Sequence, residues 1–354
     1  MELEEALLFI YLKRYNMVFY QCSKCKKIWQ QPIGTCPECF SELEKVKTTK
    51  AKVIGISKVS ISSILHPEVP YFALVLEDEL GNKWAHKSFK EYNVGEEINF
   101  TTNENSVAVW RTKYDLVDSI EKVFSLLSLS LNENSKIVIL PTLVSPNHAY
   151  FRENTSPEFL EAVIQFLFEK KIKLENIKIA TQSFDEIPIE SMAQKSGLLD
   201  VCLKNKIMPL DLFKSNFVKK GSLEIAGDVL NADIVLNLSM MKIGKAIASE
   251  NAYRVLKKEN FASLKYLQSE EEIVNELKNN LTNIITLGEA DFVQKQNKTI
   301  VYPGLILGSK SFLNLDRVFN EIVASDIPEI LKDIEIQNIE ITGRDIKEVK
   351  LINN

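Results

Sequence analysis

Apolar residues recur along this chain at spacings that change twice within its 354 residues. Over residues 3–15 they fall at helical intervals, which predicts a short amphipathic helix. From about residue 50 to residue 112 the pattern becomes that of short strands rich in β-branched and aromatic side chains. Five such strands favour a small Greek-key barrel of the OB-fold type. The predicted strands are Ala51–Val59, Tyr71–Leu76, Lys83–His86, Glu97–Phe100 and Val107–Arg111.

Helical spacing returns over residues 115–131, and the polar residues 132–135 then mark a boundary. Beyond this boundary apolar strands alternate with helices, which predicts βαβ units around a mostly parallel sheet. The expected segments are an N-terminal helix (1–18), a cysteine-bearing ribbon (19–48), a barrel (49–114), a connector helix (115–134) and an α/β domain (135–354).

Four of the five cysteines form two CxxC pairs, Cys22 with Cys25 and Cys36 with Cys39, separated by ten residues. Two such pairs bring four thiolates to one tetrahedral ion, with metal–sulfur distances of about 2.3 Å. Because protein sulfurs fill all four positions, we predict a structural zinc ion, with a rubredoxin-type iron centre as the alternative. A redox CxxC would leave the second pair unexplained. The fold class is therefore multidomain: a four-cysteine zinc ribbon and a small OB-type barrel, followed by an α/β domain.

Composition narrows the class of protein without identifying it. Hydrophobic residues make up 45% of the chain and charged residues 26%, as in ordinary globular proteins. A net charge of −5 disfavours a general polyanion-binding protein. No apolar run approaches the ~20 residues needed to cross a bilayer, so we expect no membrane partner. The acidic first residues are untypical of a signal peptide, and clustered reduced thiols point to the cytoplasm.

The N-terminal part resembles the acyl-CoA-associated family called domain of unknown function thirty-five. The resemblance covers about residues 5–112 and is carried by Phe19–Cys25, Thr35–Cys39 and Pro70–Leu76. That family usually has glycine after the second cysteine of each pair, where this chain has Lys26 and Phe40. We expect the metal cage to form nonetheless, since other residues can adopt these turns at some cost.

This resemblance implies a role in acyl-CoA metabolism. Members of the family accompany thiolases, and in archaea they bridge an acetoacetyl-CoA thiolase to a hydroxymethylglutaryl-CoA synthase. The implied partner is a thiolase or a similar CoA-thioester synthase, and the implied ligand is acyl-CoA. The implied role is that of a scaffold or accessory subunit, and not of a catalyst.

The barrel also admits an interpretation as a single-stranded nucleic-acid-binding module. OB-folds bind single strands through exposed aromatic rings beside basic groups. The opposing interpretation is that the aromatic residues pack in the core, and the net charge of −5 also argues against nucleic acid. The residues concerned are Trp84, Phe89, Tyr92 and Trp110, with Lys83, Lys87, Lys90 and Arg111.

Residues 135–350 resemble a second family, domain of unknown function three hundred and sixty-two. After its central strand that family carries a Pro-Lys-x-Lys-Thr-His loop. Here the loop is Ser239–Lys245, which keeps the second lysine as Lys242 and lacks the histidine. The matching segments are Lys136–Val144, Thr155–Glu158, Ala232–Leu238, Gly304–Ser309, Leu315–Asp316 and Ile339–Ile346.

Candidate chemistry in the α/β domain gathers where parallel strands are expected to end. Open α/β sheets bind ligands there, so Lys242 and Lys245 are the best-placed cations for an anion. His148 follows the first strand and suits an acid, a base or a ligand, although a solvated loop residue is the simpler interpretation. Glu289 and Asp291 follow another apolar strand and either meet Lys242 or lie in a solvated turn. An enzyme acting on a small anionic substrate is therefore the alternative to an accessory protein.

Overall fold

The computed structural model describes residues 18–29, 34–47, 50–63, 69–99, 104–112, 115–184, 187–295 and 299–351. Two compact units divide the chain, Met1–Thr102 and Asn103–Asn354. The helix predicted over residues 3–15 lies outside the described residues. None of the described helices is long and apolar enough to cross a membrane.

The first unit contains two antiparallel sheets. A three-stranded ribbon sheet has the order β2-β1-β3, and a four-stranded sheet has the order β6-β5-β4-β7. The strands are β1 (Val18–Cys22), β2 (Ile28–Trp29), β3 (Leu43–Lys47), β4 (Lys50–Val59), β5 (Tyr71–Asp78), β6 (Lys83–Ser88) and β7 (Glu97–Asn99).

One face of the four-stranded sheet forms the core of this unit. Along β5, Phe72, Leu74 and Leu76 are buried and alternate with less buried residues, the pattern of a sheet covered on one side. Phe19 of β1 joins the same hydrophobic cluster and meets Trp84 edge to face, with ring centroids 5.5 Å apart. The ribbon and the four-stranded sheet therefore share one core.

The second unit is built on a large mixed sheet. Its order is β11-β10-β9-β14-β15-β17-β8-β18, and β16 pairs with β15. Neighbours from β11 to β15 are parallel, whereas β17 runs antiparallel to both β15 and β8. The mostly parallel sheet predicted for this region is confirmed. The strands are β8 (Ser106–Arg111), β9 (Ile137–Pro141), β10 (Ile177–Thr181), β11 (Leu210–Asp211), β12 (Phe217–Lys220), β13 (Leu223–Ala226), β14 (Ile234–Lys242), β15 (Ile284–Gln294), β16 (Ile300–Val301), β17 (Leu305–Ser309) and β18 (Glu340–Gly343).

Helices cover the strands of this sheet and bury their apolar side chains. The hydrophobic residues of segments 258–281 and 312–323 form one extended core with residues of the central strands. The α-helices are α1 (Leu116–Leu126), α2 (Pro157–Glu169), α3 (Ile189–Ser196), α4 (Leu198–Lys204), α5 (Gly227–Leu230), α6 (Ile247–Ala252), α7 (Lys258–Leu267), α8 (Glu270–Asn280), α9 (Phe312–Ile322) and α10 (Ile346–Val349).

The strand predicted at Val107–Arg111 was expected in the barrel, and this assignment is wrong. It is β8 of the large sheet, between β17 and β18, and the first unit ends at residue 102 instead of 114. Every residue from Ser106 to Trp110 is buried, so both faces of this strand need a covering layer. A small sheet with one covered face does not offer that. The described part of the expected barrel is a four-stranded sheet.

Helix α1 was expected to connect two domains, but it packs within the second unit. The closest approach is at Gly308 of β17, where a Cβ atom would lie 2.1 Å from Cγ1 of Val123 and 3.2 Å from Cδ1 of Leu127. Only a glycine leaves room for the helix at this distance. The helix is therefore a covering element of the large sheet.

This contact predicts the outcome of a substitution. Gly308→Ala should lower the free energy of unfolding by about 1–3 kcal/mol, because the added methyl group overpacks the helix–strand contact. Val123→Ala removes the group that the methyl would strike, so the double variant should be more stable than the sum of the two single changes predicts. Chemical denaturation of the four proteins measures this. Strictly additive effects would contradict the close packing.

Candidate functional site

Four thiols of the first unit converge on one point. The Sγ atoms of Cys22, Cys25, Cys36 and Cys39 all lie within 4.8 Å of one another. The Cys22–Cys39 pair is 3.3 Å apart and the Cys25–Cys36 pair 3.6 Å. A tetrahedral ion with metal–sulfur distances of about 2.3 Å separates its ligands by about 3.8 Å. The arrangement thus fits one tetrahedral ion with all four positions filled by protein.

Two tight turns aim these sulfurs inward. The N–H of Lys26 donates to the carbonyl of Cys22 at 3.1 Å, and the N–H of Phe40 donates to the carbonyl of Cys36 at 2.8 Å. Lys26 and Phe40 have φ values of 59° and 58°, in the left-handed region that favours glycine. The expectation that the turns form without glycine is confirmed, at about 1–2 kcal/mol of strain for each.

Hydrogen bonds to the sulfurs favour the thiolate form that a metal needs. The N–H groups of Lys24 and Cys25 each lie 3.4 Å from the Sγ of Cys22. Hydrogen bonds with the hydroxyl and the backbone of Ser41 lower the pKa of Cys39 to about 6. The turn at Ser41 therefore favours the thiolate of Cys39.

The strained turn at Phe40 predicts a stabilising change. Phe40 is 80% exposed, so Phe40→Gly loses little packing and relieves the left-handed strain, with an expected gain of about 0.5–1 kcal/mol after the entropy cost of glycine. Phe40→Ala removes the same ring but keeps the Cβ atom, and it should gain nothing. Resistance of the metal-loaded protein to a chelator and to urea measures both. Equal behaviour of the two variants would contradict the strain.

A second group of polar residues lies at the carboxyl ends of the parallel strands. Glu289 of β15 is buried, and its Oε2 accepts the N–H of Ser156, at the start of α2, at 3.0 Å. Its Oε1 lies 3.7 Å from Nη1 of Arg152. Burial raises the pKa of Glu289 to about 7, although the hydrogen bonds from Ser156 and the charge of Arg152 oppose the shift.

Arg152 also neutralises the neighbouring carboxylate. Its charge opposes the rise that burial causes in the pKa of Asp291, as does a hydrogen bond from Tyr302. The guanidinium carbon lies 4.7 Å from the ring centroid of Phe292. The prediction left Glu289 and Asp291 either beside Lys242 or in a solvated turn. Glu289 is instead enclosed in the fold and lies 3.7 Å from Arg152, because the loop after β9 brings that residue onto β15. The charge of Arg152 also acts on Asp291, whose buried Oδ1 has no hydrogen-bond partner among the described residues.

Lys242 and Lys245 lie at the end of β14 and just after it. Lys242 is the last residue of β14 and is half-buried, and burial lowers its pKa. The charges of Glu153 and Glu250 oppose that shift, whereas the charge of Lys245 adds to it.

His148 occupies the position that the simpler interpretation gave it. It is exposed, and its Nδ1 accepts the N–H of Tyr150 at 3.2 Å, which caps the short turn Ala149–Phe151. The contact described for it lies within its own loop. We therefore treat His148 as a structural residue of that loop.

The aromatic residues considered for nucleic-acid binding are mostly buried. Trp84, Phe89 and Trp110 are 5–6% exposed, as the core-packing interpretation predicted. Tyr92 packs partly buried against the core of the first unit. Trp110 and Arg111 belong to the second unit, on β8. Three of the four rings are therefore not exposed for stacking on bases.

Sequence reasoning missed two buried residues of helix α9 that shape the strand-end site. Asp316 accepts the N–H groups of Ala248 and Ser249, each at 2.9 Å. Asn320 donates to the carbonyl of Lys245 at 2.9 Å and accepts the N–H of Gly244 at 3.1 Å. The signal was two polar residues four positions apart on the apolar face of a helix, where they need buried partners.

The buried carboxyl of Glu289 predicts a pH dependence. Its pKa in the fold is raised from 4.5 to about 7, so its contribution to stability is complete below about pH 4.5 and is lost as the pH rises through about 7. Glu289→Gln keeps an acceptor for Ser156 and removes this titration. Between about pH 4.5 and 7 the unfolding free energy of the variant should therefore fall less than that of the wild-type protein. The difference between the two falls should reach up to roughly 3 kcal/mol.

Urea denaturation at a series of pH values measures this difference. Asp316→Asn is the matched control, because burial also raises the pKa of Asp316 to about 7. The unfolding free energy of the Asp316→Asn variant should still fall with rising pH by the amount that Glu289 contributes. A Glu289→Gln curve parallel to that of the wild-type protein would contradict the assignment.

Comparison with known families supports the resemblance of the C-terminal part. Residues 137–248 match the model of DUF362, described as a domain of unknown function. The match covers β9, β14 and the loop that carries Lys242 and Lys245. No curated protein matches the chain.

Two solved structures of DUF35 proteins match the N-terminal part. The Ltp2–ChsH2(DUF35) aldolase is 20% identical, and the match covers 28% of this chain and 83% of that chain with a TM-score of 0.22. A protein of unknown function from the DUF35 family of Sulfolobus solfataricus is 19% identical, with 25% and 69% covered and a TM-score of 0.18.

Proposed function

We propose that this chain is an acyl-CoA-associated accessory protein. Its ribbon and four-stranded sheet dock on a thiolase or a hydroxymethylglutaryl-CoA-synthase-type enzyme and help to hold the acyl-CoA. The sequence resemblance of residues 5–112 suggests this role. The observation that carries it is a surface of paired lysines and aromatic rings at one end of the four-stranded sheet.

Lysine side chains on this surface lie over aromatic rings. The Nζ of Lys87 is 4.4 Å from the ring centroid of Tyr71 and 4.9 Å from that of Phe89. The Nζ of Lys90 is 4.7 Å from the ring of Tyr92. Cation–π contacts of this kind hold each ammonium group in place beside an apolar surface. We call Lys87, Lys90, Tyr71 and Tyr92 the lysine–tyrosine patch.

The register of the strands explains why these residues meet. Lys87 pairs with Ala73, two residues after the start of β5 at Tyr71. The hydroxyl of Ser88 donates to the carbonyl of Lys90 at 2.8 Å and accepts the N–H of Lys90 at 3.0 Å. These two hydrogen bonds close the turn after β6. The patch therefore sits on a rigid strand end.

The chemistry of coenzyme A matches this patch. Its phosphates need cations, and its adenine ring needs a flat apolar surface. Lysine supplies a point charge for phosphate, and tyrosine supplies a ring with a polar tip. The four-thiol metal centre serves this function indirectly, because a closed cage stabilises the ribbon and leaves no position for a substrate. Nucleic-acid binding is not proposed, because Trp84, Phe89 and Trp110 are buried.

The patch predicts a loss of affinity on charge removal. Titration of the full chain with acetyl-CoA should give binding that Lys87→Gln and Lys90→Gln each weaken about tenfold, which corresponds to about 1.4 kcal/mol. Lys83→Gln is the matched control on the same strand, since Lys83 pairs with Glu77 at 3.3 Å outside the patch. Equal weakening by all three variants would indicate an unspecific charge effect and overturn the assignment.

Docking is tested separately from CoA binding. The full chain, used as bait in an extract of its native organism, should recover a thiolase or a CoA-thioester synthase identified by mass spectrometry. Cys36→Ser breaks the cage, so it should lose that partner while the second unit stays folded by circular dichroism. Recovery of no CoA-thioester enzyme would remove the docking proposal and leave the acetyl-CoA titration to stand alone.

A further inference from the structure

The two lysines at the end of β14 differ from the other charged groups around them. Glu289 lies 3.7 Å from Arg152, as described above. For Lys242 and Lys245 the described residues supply no hydrogen bond to the ammonium group and no ion pair within 4.0 Å. From this contrast we infer that Lys242 and Lys245 form a binding site for the phosphate group of a small planar molecule, a function beyond the one proposed for the first unit.

The burial of Lys242 calls for an anion. An ammonium group that is partly removed from water costs free energy unless an opposite charge or acceptors replace the lost hydration. Glu153 and Glu250 act on Lys242 through their charges. The Oε2 of Glu153 is already held by Ser145 and Asn147, both at 2.6 Å, and the described residues show no ion pair within 4.0 Å between Glu250 and Lys242. A bound phosphate would supply the counter-charge directly.

The backbone that carries Lys245 is preorganised. Gly244, with a φ of 73°, turns the chain out of β14. The two hydrogen bonds of Asn320, to the Gly244 N–H and the Lys245 carbonyl, fasten this turn to helix α9. Asp316 then accepts the N–H groups of Ala248 and Ser249 and so fixes the start of helix α6. A site whose supports are buried and fully bonded loses little entropy when a ligand binds.

The loop after β9 is fastened beside these lysines. The hydroxyls of Thr142 and Thr155 both donate to the carbonyl of Leu238 in β14, each at 3.0 Å. Gln294, the partner of Lys242 in the β14–β15 pairing, donates to the carbonyl of Phe151 at 3.0 Å. The aromatic end of the loop therefore adjoins the strand end that carries Lys242.

Exposed aromatic rings lie in the segments that adjoin Gln294, the pairing partner of Lys242. Tyr150 and Phe151 contact each other edge to face at 6.1 Å, and Phe292 and Tyr302 pack at 4.8 Å. These four side chains are between 37% and 72% exposed. Exposed aromatic rings beside cations suit a ligand with a flat apolar part and an anionic group. The two lysines supply point charges of the kind that commonly bind phosphate, and Arg152 beside Phe292 adds a further cation at this edge.

The inference is tested with 1-naphthyl phosphate as the probe and the full chain as the protein. Fluorescence anisotropy should show binding that is at least tenfold tighter than that of either inorganic phosphate or 1-naphthol in competition. Lys242→Gln and Lys245→Gln should each weaken it about tenfold, whereas Lys242→Arg, which keeps the charge, should weaken it less.

Two controls separate this site from the rest of the chain. Lys219→Gln, an exposed lysine on β12, should bind the probe as the wild-type protein does. Lys87→Gln should also leave it unchanged, so the outcome does not depend on the acetyl-CoA titration. Unchanged binding by Lys242→Gln, equal weakening by Lys219→Gln, or equal affinity for 1-naphthol would each overturn the inference.

Discussion

The parallel pairing of β14 with β15 is the constraint on which the second unit depends. It aligns Val235 with Ile284 and continues to Met240 and Glu289. Both strands are buried along most of their length, so helices must cover the sheet on either side. Parallel strands also end at the same edge, where every following loop has to turn. The charges that those loops carry are thereby collected at one edge, and each must find a partner or a ligand.

At that edge the charges divide into two groups with different surroundings. Glu289 lies inside the fold at the start of helix α2, where an N–H group and the guanidinium of Arg152 offset part of the cost of its burial. Lys242 is also partly removed from water. Glu153, the carboxylate whose charge acts most strongly on it, is hydrogen-bonded within its own loop. The first group is complete without a ligand, whereas the second is not. This difference is the physical basis for placing a ligand at the lysines.

The first unit solves a different problem, since its sheets are too small to be held by apolar burial alone. Four thiols at tetrahedral spacing join the two turns of the ribbon, and Phe19 ties the ribbon to the core of the neighbouring sheet. Lys26 and Phe40 accept left-handed backbone conformations to make those turns. The free energy of a bound metal readily exceeds such strain, because structural zinc contributes on the order of 10 kcal/mol in small domains. The turns can therefore omit glycine.

The sequence alone determined the features that depend on local spacing. The two CxxC pairs predicted the thiol cluster, whose four Sγ atoms lie within 4.8 Å of one another. The alternation of strands and helices predicted the parallel sheet. Sequence spacing did not predict features that depend on contacts between residues distant along the chain. It placed β8 in the barrel, because an isolated apolar strand does not reveal which sheet will cover both its faces.

Only the tertiary structure decided how the charges at the strand ends are paired. Arg152 lies 137 positions from Glu289 along the chain, and no periodicity connects the two. Asp316 and Asn320 reach the loop of Lys245 from a helix near the other end of the unit. Local chemistry identified Lys242 as a candidate, since strand ends collect ligands. Whether a carboxylate of the chain itself satisfies that lysine depends on packing between distant segments, and packing is what sets the two lysines apart from Arg152.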